Sequence, residues 1–318
     1  MIEPRLLARL EGKKAALDSL RPLPEAATEL ERQLTLEWIY NSSALEGNTL
    51  SLRQVRTILE SGRTVAGKRL SEHLEVVNLQ QALSYASALA ASQKPIIPLD
   101  VRRLHQLVLV HLDDDNAGKY RIAPVFRAGA AYQLPAAPEV PGLMREWGNW
   151  LNSTARRLHP IEQAALAHQR LIAIHPFLSG NGHVARLIMN VLLLRAGYPV
   201  AVVLRVNQRP YQRMLAQALN GRAAGLVHLV ASAVERSRTL YLEAGRPAGQ
   251  PRSDQDAWLP LIAAAEGSPL RPAQLGRLAR RGRLEAWQRG RTWLTTRRAI
   301  ADYLAHEGRA RANRRGPR

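Results

Sequence analysis

One stretch carries the residue types that phosphate chemistry needs: His175, Pro176 and Phe177, then Ser179, Gly180, Asn181, Gly182 and His183, then Arg186. Pro176 lacks an N–H and cannot continue a helix arriving from Pro160, so the chain must turn near Ile174. Gly180 and Gly182 allow positive φ and close approach of backbone to a ligand. A helix expected from His183 would direct its first free N–H groups, and the positive end of its dipole, into that loop. His183, Arg186 and Asn190 lie three and four residues apart, on one helical face. An imidazole before an anion-binding loop and a guanidinium one turn after it place a general base beside a phosphate site. Gly-Asn-Gly alone also occurs as an ordinary turn, so the meaning lies in the whole string.

The elements that must position this loop are mostly helical. Leu6, Leu7, Leu10, Leu17 and Leu20 give a helical rhythm, followed by helical runs over Glu29–Leu45, around Leu74–Leu83 and over Val101–Leu112. Asp100 is expected to cap the last of these, with Pro98 just before it. Residues 113–142 break the pattern with Gly118, Gly129 and four prolines, and Tyr120–Tyr132 reads as a β-hairpin or flap. Helices resume near Val140–Leu151, Pro160–Ile174, His183–Ala196 and Arg209–Glu243. The expected organisation is an N-terminal helical region (1–112), a core with flap and phosphate loop (113–245), a Gly- and Pro-rich linker (246–256), a small module (257–308) and a disordered basic tail (309–318).

Read as a whole, the string from His175 to Arg186 resembles the Fic family motif, His-Pro-Phe-x-(Asp/Glu)-Gly-Asn-Gly-(Arg/Lys)-x-x-Arg. The likeness extends to the helix leading into His175, to Gly118–Arg121, to Val140–Met144 with Trp150–Asn152, and to Arg209–Tyr211. It implies a mainly α Fic helical bundle with a β-hairpin flap. It also implies transfer of AMP from ATP to a Ser, Thr or Tyr hydroxyl of a protein. His175 would take the proton from that hydroxyl. Gly180, Asn181 and Gly182 would cradle the α- and β-phosphates and Arg186 the γ-phosphate, with His183 and Tyr211 also in the nucleotide site.

Two positions depart from the family pattern. Ser179 stands where a carboxylate would bind Mg²⁺, and a neutral hydroxyl is a weaker ligand for a hard cation. The ion is then expected to be held partly by the nucleotide. His183 stands where the family has a fixed cation, and only its protonated form would match that charge. Both departures count against efficient transfer and leave a phosphate-bearing ligand in place. A degenerate nucleotide- or DNA-binding regulator, removal of AMP and transfer of another phosphate-linked group stay open beside AMP transfer.

Asn41–Asn48 resembles the family's inhibitory motif, (Ser/Thr)-x-x-x-Glu-(Gly/Asn), with Ser42 and Glu46 four apart on one helix face and Gly47 at the helix end. The resemblance implies that Glu46 pairs with Arg186 and competes with the γ-phosphate for its guanidinium.

Beyond the linker, residues 251–318 hold 15 arginines against 6 acidic residues. Asp256–Ala265 reads as a helix, Leu270–Arg281 as a second, Arg283–Thr296 as two strands joined at Arg289-Gly290, and Arg297–His306 as a last helix. This order resembles a winged helix-turn-helix domain. Arg277, Arg280 and Arg281 on the second helix, with Arg289 and Arg291 on the wing, would then contact DNA. Trp287 and Trp293 read as packing of the small module rather than as base-stacking platforms.

Composition limits the alternatives. The 318 residues contain no cysteine, which excludes disulfides and cysteine-ligated metals. Hydrophobic residues make up 46%, too many for wholesale disorder. No run approaches a membrane span and no signal-like block opens the chain, so the expectation is a cytoplasmic protein with no membrane partner. The net charge of +19 rests almost wholly on arginine and favours anionic partners. A homodimer is also among the expected associations. The spacing of His159, His168 and His175 does not match a helical zinc motif, and Asp113–Asp115 lacks the further ligands of a calcium loop.

Overall fold

The structure, a computed structural model, describes residues 2–19, 25–125, 133–245, 254–289 and 292–314. The N-terminal region folds as α1 (Pro4–Ser19), α2 (Glu25–Leu45), α3 (Leu52–Ser61), α4 (Leu70–Ala91) and α5 (Pro98–Leu109). The core continues with α6 (Val140–Asn152), α7 (Pro160–Ile174), α8 (Asn181–Arg195), α9 (Gln208–Leu219) and α10 (Ala224–Ala244).

Helix α8 lies at the centre, and nearly every residue from Val184 to Leu193 is buried. It is apolar around its whole circumference because α2, α4, α5 and α7 surround it. Helix α10 closes the bundle against α1, α2, α7 and α9. One continuous core runs from Leu6 and Leu10 in α1 to Val234 and Tyr241 in α10.

Several expected boundaries shift for identifiable reasons. Asp100 is not the cap of α5 but its third residue, where its carboxylate accepts the N–H of Ile97 at 2.9 Å. Helix α3 was absent from the periodicity reading because it buries only Val55 and Ile58. Its start signal is nonetheless local: Ser51 Oγ accepts from the Gln54 N–H and Gln54 Oε1 accepts from the Ser51 N–H. The single helix expected over Arg209–Glu243 breaks at Asn220-Gly221, where Gly221 takes φ +81° and the Arg222 N–H bonds back to Gln217 O. In the flap region, no strand forms among the described residues 113–125 and 133–142. The hairpin's expected tip, 126–132, lies outside the described residues.

The C-terminal module has the order β1 (Leu259–Pro260), α11 (Leu261–Ala264), α12 (Pro272–Arg280), β2 (Ala286–Arg289), β3 (Thr292–Thr295), α13 (Arg297–Arg314). The strands form an antiparallel sheet in the order β1-β3-β2. The helix expected over Asp256–Ala265 is instead a strand followed by one helical turn, because Pro260 has no N–H to donate within a helix. Helix α13 runs past the expected end at His306, since Ala and Arg, which fill its last turns, are good helix formers. The tail expected from 309 is therefore helical backbone through Arg314. Most of the expected linker, 246–253, lies outside the described residues.

The module rests on the bundle. Arg9 of α1 pairs with Glu235 of α10 at 2.6 Å and donates to Gly282 O at 3.0 Å. Lys13 of α1 binds Glu285, and Trp258 donates to Glu243 at 2.9 Å. Gly282 has φ +70° and touches the His228 ring so closely that a Cβ there would lie 2.6 Å from it. No helix among the described residues is long and apolar enough to cross a membrane.

Candidate active site

Helix α7 ends because His175 turns into the left-handed region, φ 50°, ψ 60°, while its N–H still bonds to Leu171 O. The chain re-enters a helix through Gly180, also left-handed at φ 68°. The loop between them is held from two sides. Below it, the Phe177 ring is fully buried and stacks on His105 of α5 at 3.6 Å between centroids. The Gly118 N–H donates to His105 Nδ1 at 2.9 Å, so Nε2 carries the ring proton and faces Ser179 O at 3.2 Å. Burial lowers the His105 pKa to about 4, which keeps this ring neutral. A Cβ at Gly180 would lie 3.3 Å from the same ring.

Within the loop, Asn181 Oδ1 accepts the Phe177 N–H at 3.0 Å and Nδ2 donates to Phe177 O at 2.8 Å. The Asn181 side chain thus closes the loop on itself, and what it leaves to face a ligand is its backbone. From the flap side, buried Arg121 donates through Nε to His175 O at 2.8 Å and through Nη2 to Pro135 O at 2.6 Å. Its own N–H donates to Pro176 O at 2.9 Å. Arg121 therefore joins both flanks of the flap to the turn that carries His175.

Arg186 is buried to 2% exposure, and α2 meets it. Its Nε donates to Ser42 Oγ at 2.9 Å and Nη2 to Ser42 O at 3.0 Å. Nη1 lies 2.9 Å from Glu46 Oε1. Burial opposes the Arg186 charge, but Glu46 and then Tyr211 more than offset it, so its pKa is raised. Tyr211 also meets His168 Nε2 at 2.8 Å. His168 is wholly buried and its pKa falls to about 3, chiefly through desolvation, so it stays neutral beside Arg186. Helix α2 ends at Leu45, so Glu46 sits in the following turn rather than on the helix face of Ser42. Both still reach one guanidinium, because Gly47 at φ +105° turns the chain immediately afterwards.

Glu46, His175, Gly182, Arg186 and Tyr211 line one open cleft of about 780 Å³. His183 is placed otherwise than the phosphate role requires. Its buried ring points to α4, with Nε2 3.2 Å from Glu75 Oε1. Glu75 Oε2 in turn accepts from Asn48 Nδ2 at 2.7 Å. Ser179 is exposed on the loop and offers a neutral hydroxyl. These residues do not fit a protein-held Mg²⁺: the acidic position is a serine, and among the described residues no cluster of His, Asp or Glu could hold a metal.

Of the sequence-picked residues, the structure gathers His175, the Gly180–Gly182 loop, Arg186, Tyr211, Ser42 and Glu46. It separates His183. Arg277, Arg280 and Arg281 are exposed on and just after α12, well apart in sequence from this site. Arg289 closes β2, and Arg291 lies outside the described residues. Sequence reasoning missed His105 and the reach of Arg121. It also left Asn190 without a role. Asn190 is fully buried, donates to Arg186 O and Ala201 O, and accepts the Ala201 N–H at 2.7 Å. No local pattern signals such contacts between distant segments, although Gly118–Arg121 lay within the stretch that resembled the family.

Comparison with known proteins agrees with this geometry. The Fic/DOC family pattern matches residues 95–193. The protein adenylyltransferase Fic of Drosophila willistoni is 36% identical over 243 residues, 76% of this chain and 48% of that protein. The chain thus spans about half the length of the curated relatives it matches. A Fic-domain signaling protein from Bacteroides thetaiotaomicron superposes with a TM-score of 0.69 at 31% identity, over 74% of this chain and 96% of that one. A Fic family protein from Desulfovibrio desulfuricans matches at TM-score 0.63 and 25% identity over 93% of this chain and 97% of its own. The left-handed turn at His175, the glycine-bounded start of α8 and the arginine one turn into it are shared architecture: the chain belongs to the Fic/DOC family.

Proposed function

We propose that this chain transfers AMP from ATP to a Ser, Thr or Tyr hydroxyl of a protein, and that Glu46 holds it in a resting state. The observation that carries this reading is the occupied Arg186, clamped by Ser42 and Glu46 beside His175 and the loop. His175 accepts the proton of the target hydroxyl, whose oxygen attacks the α-phosphorus. The bond to the β-phosphate oxygen breaks, and pyrophosphate leaves. Backbone N–H groups at the start of α8 receive the phosphate oxygens, aided by the helix dipole. Arg186 can meet a γ-phosphate only after Glu46 lets go, because its other N–H groups already serve Ser42. Relatives named protein adenylyltransferase support the reaction class. Any Mg²⁺ arrives with the nucleotide, as part of the substrate.

The test is Glu46→Gly protein incubated with ATP labelled at the α-phosphate, alone and with cell lysate. Labelled protein is the expected result. Absence of label in Glu46→Gly, restored by Ser179→Asp with Glu46→Gly, would replace this reading with that of a Fic domain whose transfer has lapsed.

A second reading concerns the C-terminal module, proposed as a winged-helix DNA-binding unit. Arg277, Arg280 and Arg281 support it, since all three are exposed along one segment. Salt-sensitive DNA retention that persists after deletion of 251–318 counts against it. A cytoplasmic location and a homodimer complete the proposal, checked by fractionation and by light scattering.

A further inference from the structure

A second cleft lies between the module and the bundle, on the far side of α9 from the active site. It has about 640 Å³ of empty space, open on one side, within the usual size range of small-molecule sites. Trp287 and Trp293 of the β2–β3 hairpin form one wall, and Val203 and Met214 belong to the bundle wall opposite. Two polar side chains line it, and each has a buried atom with no hydrogen-bond partner among the described residues: the Asn207 Oδ1 acceptor and the Arg236 Nε donor. A buried unpaired donor and acceptor are costly, and a ligand that satisfies both recovers that cost.

Arg236 is also connected. Its guanidinium carbon lies 5.2 Å from the centre of the Trp287 ring. Its two terminal nitrogens bind Glu37 of α2 at 3.1 and 2.8 Å. Glu37 lies on the same helix as Ser42, and Asn41 of that helix accepts the Arg205 N–H at 2.7 Å. Gln208, at the start of α9, donates to Leu45 O at 3.2 Å. Every wall of this cleft is therefore one contact from the segment that clamps Arg186.

We propose that this cleft is an effector site for a small planar aromatic molecule. The molecule carries a hydrogen-bond donor for Asn207 Oδ1 and an acceptor for Arg236 Nε. Its ring packs between the two tryptophans and the apolar bundle wall. Binding draws Arg236 toward the ligand, loosens its grip on Glu37 and favours release of the Ser42–Glu46 clamp. The clamp's inhibitory meaning rests on the function proposed above; the binding site does not.

The probe is 2-naphthamide, which has the ring, the donor and the acceptor, with naphthalene as the apolar control. Ligand-observed saturation-transfer NMR on the full chain should show binding of 2-naphthamide. Asn207→Leu and Trp287→Ala should each weaken it about fivefold or more, the loss of one hydrogen bond or one ring contact. Because Trp287→Ala also removes a contact to the bundle, Asn207→Leu is the decisive variant: it keeps size and touches no backbone bond. No binding up to the solubility limit, or equal binding of naphthalene with no effect of Asn207→Leu, overturns the site. For the link to the clamp, ATP affinity is measured by calorimetry, so that transfer activity does not enter. The probe should raise ATP affinity in the wild type and not in Glu37→Gln. Unchanged ATP affinity in the wild type with probe bound overturns the link. Failure of Glu46→Gly to label protein would bear on transfer alone.

Discussion

Gly182→Ala offers a test of the clamp that does not depend on catalysis. A Cβ at Gly182 would lie 2.1 Å from Glu46 Oε1 and 3.0 Å from Arg186 Nη1. Backbone of α8 is fixed in the core, whereas Glu46 is a flexible side chain exposed to 40%, so the carboxylate is what moves. Alanine at 182 thus breaks the Glu46–Arg186 pair without touching either residue. A charge-assisted hydrogen bond is worth about 1.5–3 kcal/mol when buried, and solvent on the Glu46 side reduces this to about 1–2 kcal/mol. Ala in place of Gly inside a helix returns about 0.5–1 kcal/mol. Glu46→Gly alone should therefore destabilise by about 1–2 kcal/mol, and Gly182→Ala alone by somewhat less. In the double variant the clash has no partner, so adding Gly182→Ala to Glu46→Gly should stabilise by about 0.5–1 kcal/mol. The double variant is then about 1–2 kcal/mol more stable than the sum of the singles, a coupling that urea unfolding followed by tryptophan fluorescence can resolve. Additivity of the two substitutions would refute the proposed competition for one space.

Other perturbations read out other parts of the site. Asn190→Leu leaves the Ala201 N–H and O without their buried partner and should cost about 2–4 kcal/mol, seen as a lowered thermal midpoint. Arg121→Ala frees both flap flanks and the His175 carbonyl; AMP labelling in the Glu46→Gly background should fall by about tenfold or more while ATP affinity holds, since the change touches positioning. His105 and His168 have folded-state pKa values of about 4 and about 3, below the usual 6.5, so the unfolded chain binds more protons as pH falls. Stability should be full above pH 6.5 and decline as pH drops toward 4, and His105→Gln should flatten that slope in unfolding measured across pH.

The phosphate loop and the α2 segment were legible in the sequence because their signals are local: a proline stop, two glycines, and an arginine one turn into a helix. The helices α7 and α8 followed from the same punctuation. Helix α3 escaped because a short helix with two buried residues shows almost no apolar stripe, and only its Ser51–Gln54 cap announces it. His183 was misplaced for a different reason. Its helical position predicts direction along α8, but which neighbour it faces depends on Glu75, a hundred residues earlier on α4. The same holds for Asn181, whose side chain could serve a ligand or its own loop, and serves Phe177. Trp287 was read as packing within the module. It does stack with Trp258, but it also lies under Arg236 of the bundle, a partner that no spacing within the module could supply.

The buried guanidinium of Arg186 has a consequence for cells that make this protein. Ser42 and Glu46 supply bonds without which a fully enclosed cation would stand alone. The restraining segment is thus also a support, and any variant that discards it gives up folding free energy in the same step. A loss of about 1–2 kcal/mol is enough to change steady-state abundance several-fold through proteolysis of the unfolded fraction. Hyperactive alleles should therefore accumulate poorly. Quality control would then act as a second safeguard, lowering the dose of any copy that has lost the first.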